Sequence, residues 1–298
     1  MPMDSSPRRD THRFRVALLQ MHATASRDEN LARAVEQIER AAAAGADLVC
    51  LPELFSMPYP CRDEDHERFA LAEPIPGPTT ERLARAAAAS RAVVVGSIFE
   101  RRGPGLYHNA AIVLERDGRL VGHYRKMHIP DDPNYYEKFY FAPGDLGFPV
   151  WETSAGRLGV AVCWDQWFPE VARLLALAGA EIVLYPTAIG WLADEKETWG
   201  ASQQAAWRRI MQSHAIANGL YVAGVNRWGV EGSIEFWGHS FIADPYGTVV
   251  AAAATPPGDE IVLAECDTTR IETARTHWPF LRDRRVDAYQ GLLRRWID

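Results

Sequence analysis

The sequence predicts a single layered α/β domain, and three observations carry that expectation. Short apolar runs of strand character alternate with segments of helical period along most of the chain. Helical segments set between strands would cover one face of each sheet while the other face is buried, which is the arrangement of a layered α/β body. No Pro/Gly/Ser-rich linker divides the 298 residues, a length that one domain with a full core can fill.

A strand is expected over 14–20. A helix follows over 27–44, with Ser26, Asp28 and Glu29 at its start and Gly45 at its end. Next come a strand over 47–51, an Ala-rich helix over 80–90, a strand over 92–100, and two strands joined at the Asp117-Gly118 turn signal, the second running over 120–126. The second half reads as a strand over 158–163, a helix over 169–178, a strand over 181–186 and a helix over 203–218. Strands over 220–228, 238–243, 248–253 and 261–266 complete it. Two long irregular segments, 55–77 and 127–149, are expected to build the site, as long loops on a rigid scaffold often do. Residues 1–12 read as a flexible extension and 13–298 as the domain, with a C-terminal tail available for association.

Composition excludes several functional classes. Hydrophobic residues make up 47% and charged residues 24%, values of a globular protein rather than a disordered or fibrous one. A net charge of −7 and no long Lys/Arg cluster argue against nucleic-acid and membrane-surface partners. No apolar run approaches the roughly 18 residues of a membrane span, and the N-terminus lacks a signal-peptide pattern, so a cytoplasmic location is expected. Cys50, Cys61, Cys163 and Cys266 form no CxxC pair and the nine His form no HExxH, so neither a disulfide framework nor a metal is expected.

Chemistry concentrates at three predicted strand ends. Cys163 closes Leu158-Gly159-Val160-Ala161-Val162 and precedes Trp164-Asp165-Gln166-Trp167-Phe168-Pro169, a strand–turn–helix nucleophile position. Exposed N–H groups and a helix N-terminus there would favour the thiolate and a developing oxyanion. On its own such a cysteine is more often a buried, inert one. Glu53 follows Val49-Cys50-Leu51-Pro52, where a core position would call for an apolar residue, and Lys126 ends the strand over 120–126. A thiol, a carboxylate and an ammonium together supply the nucleophile, proton carrier and oxyanion partner that amide hydrolysis needs. A Cys–His pair using His128 or His214 is the alternative, although neither His sits in a recognisable catalytic context.

These segments resemble the signature motifs of the nitrilase (carbon–nitrogen hydrolase) superfamily, over about 15–289. The resemblance implies a four-layer α-β-β-α sandwich, homo-oligomers, no cofactor, and a catalytic set of Glu53, Lys126 and Cys163, with Glu137 of Tyr135-Tyr136-Glu137-Lys138 as a second carboxylate. Longer stretches, KMHIPDDPNYYEKFYFAPGDLGF from Lys126, VAVCWDQWFPEVAR around Cys163, LYPTAIG around Thr187 and FLRDRRVDAY near the C-terminus, resemble the branch that hydrolyses N-carbamoylputrescine to putrescine, ammonia and carbon dioxide.

A small cationic ureido substrate suits the residues as well. Branches that take N-carbamoyl amino acids carry Arg after the Cys, apt for a carboxylate. Here Trp164 and Asp165 stand there, and Asp131, Asp132, Glu170, Tyr59, Tyr135 and Trp167 add acids and aromatic faces fit for an ammonium. Tyr59, Asp132, Trp164, Asp165 and Thr187 are therefore the expected substrate-binding residues. The alternatives are an ω-amide, a plain aliphatic amide or a nitrile as substrate, or a catalytically silent scaffold on the same fold.

Overall fold

The computed structural model describes residues 12–297. The expected extension over 1–12 lies, His12 apart, outside the described residues. The first half runs β1 (Arg13–Gln20), α1 (Arg27–Ala43), β2 (Leu48–Cys50), α2 (Pro78–Ser90), β3 (Val93–Gly103), β4 (Leu106–Leu114) and β5 (Leu120–Arg125). After the short helix α3 (Glu137–Tyr140) come β6 (Val150–Thr153), β7 (Gly156–Val160), α4 (Pro169–Leu177), β8 (Ile182–Thr187), β9 (Gly190–Leu192) and α5 (Lys196–Asn218). The chain finishes with β10 (Tyr221–Asn226), β11 (Trp228–Glu231), β12 (Ile234–Trp237), β13 (Phe241–Ala243), β14 (Val249–Ala252), β15 (Glu260–Asp267) and α6 (Thr268–His277).

Two six-stranded sheets form, in the orders β15-β1-β2-β3-β4-β5 and β14-β13-β10-β8-β7-β6. Each has a parallel centre, β1-β2-β3 in one and β7-β8-β10 in the other, flanked by antiparallel strands. Period-two alternation sorts the side chains. Val16, Leu18, Leu48, Cys50, Val93 and Val95 join Leu158, Val160, Ile182 and Leu184 in one buried cluster between the sheets. Their neighbours Ala17, Leu19, Val49, Leu51 and Val94 instead pack on Leu31, Ala34 and Ile38 of α1 and Leu83, Ala86 and Ala87 of α2. Residues of α4 and α5, Val171, Leu175, Trp207, Met211 and Ala215, cover the second sheet. The result is the expected α-β-β-α sandwich. Among the described residues no helix is long and apolar enough to cross a membrane.

Local chemistry sets the helix limits. Ser26 accepts the Glu29 N–H at 3.3 Å as the N-cap of α1, and Pro78 and Pro169 open α2 and α4, where a missing N–H costs nothing. The short elements α3, β6, β9, β11 and β12 were not expected, and three further departures bear on the site or the helix ends. β7 stops at Val160, and Cys163 instead opens a 3-10 turn, Cys163–Trp167. α5 starts at Lys196, where exposed Glu197, Thr198 and Trp199 interrupt the apolar period. α6 was not expected because it buries little beyond Thr268, Ile271 and Ala274; its Asp267 N-cap, accepting the Thr269 N–H at 2.9 Å, is the main signal for it.

Candidate active site

Strand ends from both sheets meet at one point. Past β2, Glu53 enters a turn in which Leu54 takes a left-handed φ of 47°, its N–H donated to Ser97 Oγ at 3.0 Å. Lys126 follows β5 directly, its backbone N–H donated to the Asn109 carbonyl of β4 at 2.8 Å. Cys163 comes from the facing sheet and holds φ = 43°, a conformation a side-chain-bearing residue rarely adopts, which aims the thiol away from the strand line. Asp165 fixes that elbow: its Oδ2 accepts the Val162 N–H at 2.9 Å and the Tyr124 hydroxyl at 2.8 Å, and its Oδ1 accepts the His128 N–H at 3.0 Å.

Glu53, Lys126 and Glu137 form a dry ionic cluster. Lys126 Nζ lies 2.8 Å from Glu53 Oε1 and 2.7 Å from both oxygens of Glu137, and all three side chains are essentially inaccessible. Asn109 Nδ2 donates to Glu53 Oε1 at 2.7 Å and reaches Glu137 Oε2 at 3.4 Å, and the Tyr59 hydroxyl donates to Glu137 Oε1 at 2.7 Å. Every oxygen of the two carboxylates is thus occupied except Glu53 Oε2, which is buried without a hydrogen-bond partner. An acceptor left free in this way is suited to taking a proton.

The charge states follow from burial and neighbours. Burial alone would lower Lys126, but Glu137 and Glu53 outweigh it and hold the ammonium well above its ordinary range. Burial pushes the Glu137 carboxyl up to about 7 against the pull of Lys126. Burial, then the adjacent Glu53, also pushes the Cys163 thiol well above 9.0, while Lys126 pulls the other way. This corrects the sequence expectation of a resting thiolate. Loss of solvent favours the neutral thiol, so the thiol keeps its proton until a base removes it.

Cys163 sits in a cavity of about 380 Å3. Trp164, Trp167, Tyr135 and Trp237 form aromatic walls, and the charged lining is Asp132, Glu137 and Glu195, with no Lys or Arg among the described lining residues. A thiol in the cavity, coupled electrostatically to a buried cluster that holds a free carboxylate oxygen and a fixed cation, supplies the kinds of group that addition to a carbonyl needs.

The family model described as carbon-nitrogen hydrolase matches residues 15–276. The chain belongs to that family. This carbon–nitrogen hydrolase is 42% identical to the N-carbamoylputrescine amidase of Solanum lycopersicum, over 93% of this chain and 94% of that one. It is 40% identical to the citrullinase of Francisella tularensis, over 95% and 99% of the two chains. The crystal structure of a carbon-nitrogen hydrolase from Helicobacter pylori G27 matches with a TM-score of 0.93 at 44% identity, covering 96% of this chain and 100% of that one. The protein is a hydrolase of non-peptide C–N bonds.

Of the residues expected from sequence, the hydrolase fold brings together Glu53, Lys126, Glu137 and Cys163, and it turns Asp132 and Trp164 to the cavity. Three others are not part of the lining, for definable reasons. Asp165 is buried and spent on the elbow, Thr187 Oγ1 is engaged with Gln166 and the Tyr185 carbonyl, and Tyr59 points its hydroxyl at Glu137. His128 is stacked on Phe168 at 3.7 Å with Nδ1 2.8 Å from Asp165, and His214 Nε2 lies 2.8 Å from the Gln166 carbonyl. Their polar partners are therefore Asp165 and Gln166, not the thiol. Sequence reasoning missed Asn109 and Glu195. Asn109 had a signal, an amide within the apolar run of β4; Glu195 had none, lying in a polar stretch before α5.

Proposed function

We propose that the protein cleaves the ureido C–N bond of N-carbamoylputrescine, releasing putrescine, ammonia and carbon dioxide. In this reading Glu53 Oε2 takes the Cys163 proton as the thiol sulfur attacks the carbamoyl carbon. The negative oxygen that forms is met by Lys126 and by the Trp164 N–H, which lies in the first turn of a helix and so lacks an intrahelical acceptor. Collapse of the adduct breaks one C–N bond, and Glu53 returns its proton to the departing nitrogen. An S-linked thiocarbamate remains on Cys163. Glu53 then deprotonates a water that attacks the same carbon, the thiol is reprotonated, and the released carbamic acid loses carbon dioxide to give the second amine. Glu137 shares Lys126 with Glu53 and keeps Glu53 from being neutralised by a tight one-to-one pair.

The observation that carries the choice of substrate is the cavity lining, wholly acidic in its charged members and aromatic in its walls. An ammonium at the far end of the substrate meets Asp132 or Glu195 and the π-faces of Trp164 and Trp167. A second reading, citrulline as the ureide, is favoured by the Francisella relative, but its α-carboxylate would find no cation in the lining. The test is kcat/KM for N-carbamoylputrescine, N-butylurea, citrulline and glutaramate. N-butylurea differs from the first only by the terminal ammonium, so a large preference for the cation supports the polyamine reading. Equal rates on the two would leave the hydrolase chemistry and remove that substrate.

We further infer that copies associate through the C-terminal segment. Leu292, Leu293, Trp296 and Ile297 are exposed there, and the segment adjoins Glu170 at the start of α4, whose Leu174 and Leu177 are also exposed. Large exposed apolar residues clustered in this way call for a partner, and the approach of the segment to the start of α4 favours a second copy. Sedimentation of the full chain and of a chain ending at 285 tests it: the full chain should be the larger assembly, and equal monomeric masses would overturn it.

A further inference from the structure

We infer that Arg227, a residue far from Cys163 in sequence, is a positioning residue that holds both carboxylates of the active site in register. It lies one residue past β10, in the second sheet, and is 1% exposed. Its Nη2 faces three carbonyls of the Glu53 loop: Glu53 at 2.9 Å, Leu54 at 2.9 Å and Met57 at 3.3 Å. Nη1 donates to Glu231 Oε1 at 2.7 Å, and Glu231 Oε2 accepts the Tyr59 N–H at 2.5 Å. Tyr59 in turn donates its hydroxyl to Glu137. The guanidinium also lies over Phe236, 5.3 Å from the ring centroid, and Tyr59 packs edge-on against the same ring at 5.9 Å.

One buried cation therefore reaches Glu53 through its own carbonyl and Glu137 through Glu231 and Tyr59. The geometry has a function that packing alone would not require. Leu54 is held at a left-handed φ, so the loop that carries Glu53 needs an external clamp to stay in this conformation. A planar fork with five donors can grip several carbonyls and a carboxylate at once, and a lysine ammonium with three donors on a flexible stem cannot reproduce it. Burying a guanidinium here is costly in itself, and its Nε–H remains without a partner. Such a cost is consistent with a site maintained for the placement of Glu53 Oε2 against the thiol.

The inference rests on the base role proposed for Glu53, and the experiment separates the two. kcat and KM are measured for wild type, Glu53→Gln, Arg227→Lys and Arg227→Ala on the best of the four compounds above, with the folded fraction followed by thermal melting. Glu53→Gln should be nearly inactive; if it keeps kcat, the proposed mechanism fails. Arg227→Lys should lose roughly 10²-fold in kcat per folded molecule with KM little changed, the scale of displacing a reacting group by about 1 Å. Methylguanidinium, and not methylammonium, should restore part of the kcat of Arg227→Ala. A loss that only tracks the unfolded fraction, or one confined to KM, overturns the inference while the mechanism stands. Should Arg227→Ala not fold, Glu231→Gln carries the test, with kcat expected to fall about tenfold at constant KM, the scale of weakening one charge-assisted hydrogen bond; unchanged kcat there overturns it equally.

Discussion

Replacing Glu137 with Gln probes the ionic cluster at its most informative position. Glu137 Oε1 accepts Lys126 Nζ and the Tyr59 hydroxyl, and Oε2 accepts Lys126 Nζ at 2.7 Å and faces Asn109 Nδ2 at 3.4 Å. An amide can keep its oxygen on the Tyr59 side, but its NH2 then confronts two donors, Lys126 and Asn109. One charge-assisted hydrogen bond is lost and a donor is left buried, together about 1–3 kcal/mol. If that strain falls on the placement of Lys126 in the transition state, kcat drops roughly 5- to 150-fold. The pH profile adds a sharper signature. In wild type the Glu137 carboxyl, held up to about 7 by burial, takes a proton as pH falls and loosens its hold on Lys126. Activity should therefore decline below about pH 7, and Glu137→Gln, with nothing to titrate there, should run flat across that window at the lower rate. The assay is ammonia release under kcat conditions from about pH 5.5 to 8.5. An unchanged acid limb in the variant would refute the assignment of that limb to Glu137.

Cys163→Ala should abolish turnover with the fold retained, and activity surviving in it would remove the covalent mechanism. Because burial and Glu53 hold the thiol above 9.0, alkylation of wild type by iodoacetamide should climb about tenfold per pH unit from 7 to 9 as thiolate forms, and a plateau below pH 9 would contradict this. Cys163 should be labelled before Cys50, Cys61 and Cys266, which are buried away from the cavity; peptide mapping reads the order. Asp132→Asn should narrow the preference for N-carbamoylputrescine over N-butylurea by no more than roughly fivefold, since exposed charge pairs contribute about 0.2–1 kcal/mol. No change in that ratio would leave Glu195 to carry the cation.

Glu53, Lys126 and Cys163 each close a predicted apolar strand; singly each reads as a solvated charge or an inert thiol, and only the three together supply the groups that amide hydrolysis needs. Arg227, inside the strand expected over 220–228 and one residue past β10, was not singled out. What sequence position does not carry is direction. Trp164 and Asp165 are neighbours, yet one faces the cavity and the other is drawn inward by three backbone and hydroxyl donors. Asn109 shows a related difficulty: an amide within an apolar strand is a signal, but its direction is not, and only the pairing of β4 with β5 sets it opposite Lys126, where its side chain reaches Glu53. The alternation of strands and helices exposed the layered fold, whereas α6 and the start of α5 carried too little buried apolar surface to leave a period.

The proposed base Glu53 and cation Lys126 follow strands of one sheet and the proposed nucleophile Cys163 follows a strand of the other, so the proposed reacting groups straddle the seam of the sandwich. Val16, Leu18 and Val95 of one sheet share a buried cluster with Val160 and Leu184 of the other across that seam. With the proposed roles, turnover becomes a gauge of sheet-to-sheet alignment. Trimming Val95 or Leu184 should dull turnover through misalignment even where the melt shows a still-folded chain. By the same logic, two fragments separated within the 127–149 loop would each own part of the machinery. Neither would work alone, and recovered hydrolysis on mixing would count how many pairs had reassembled.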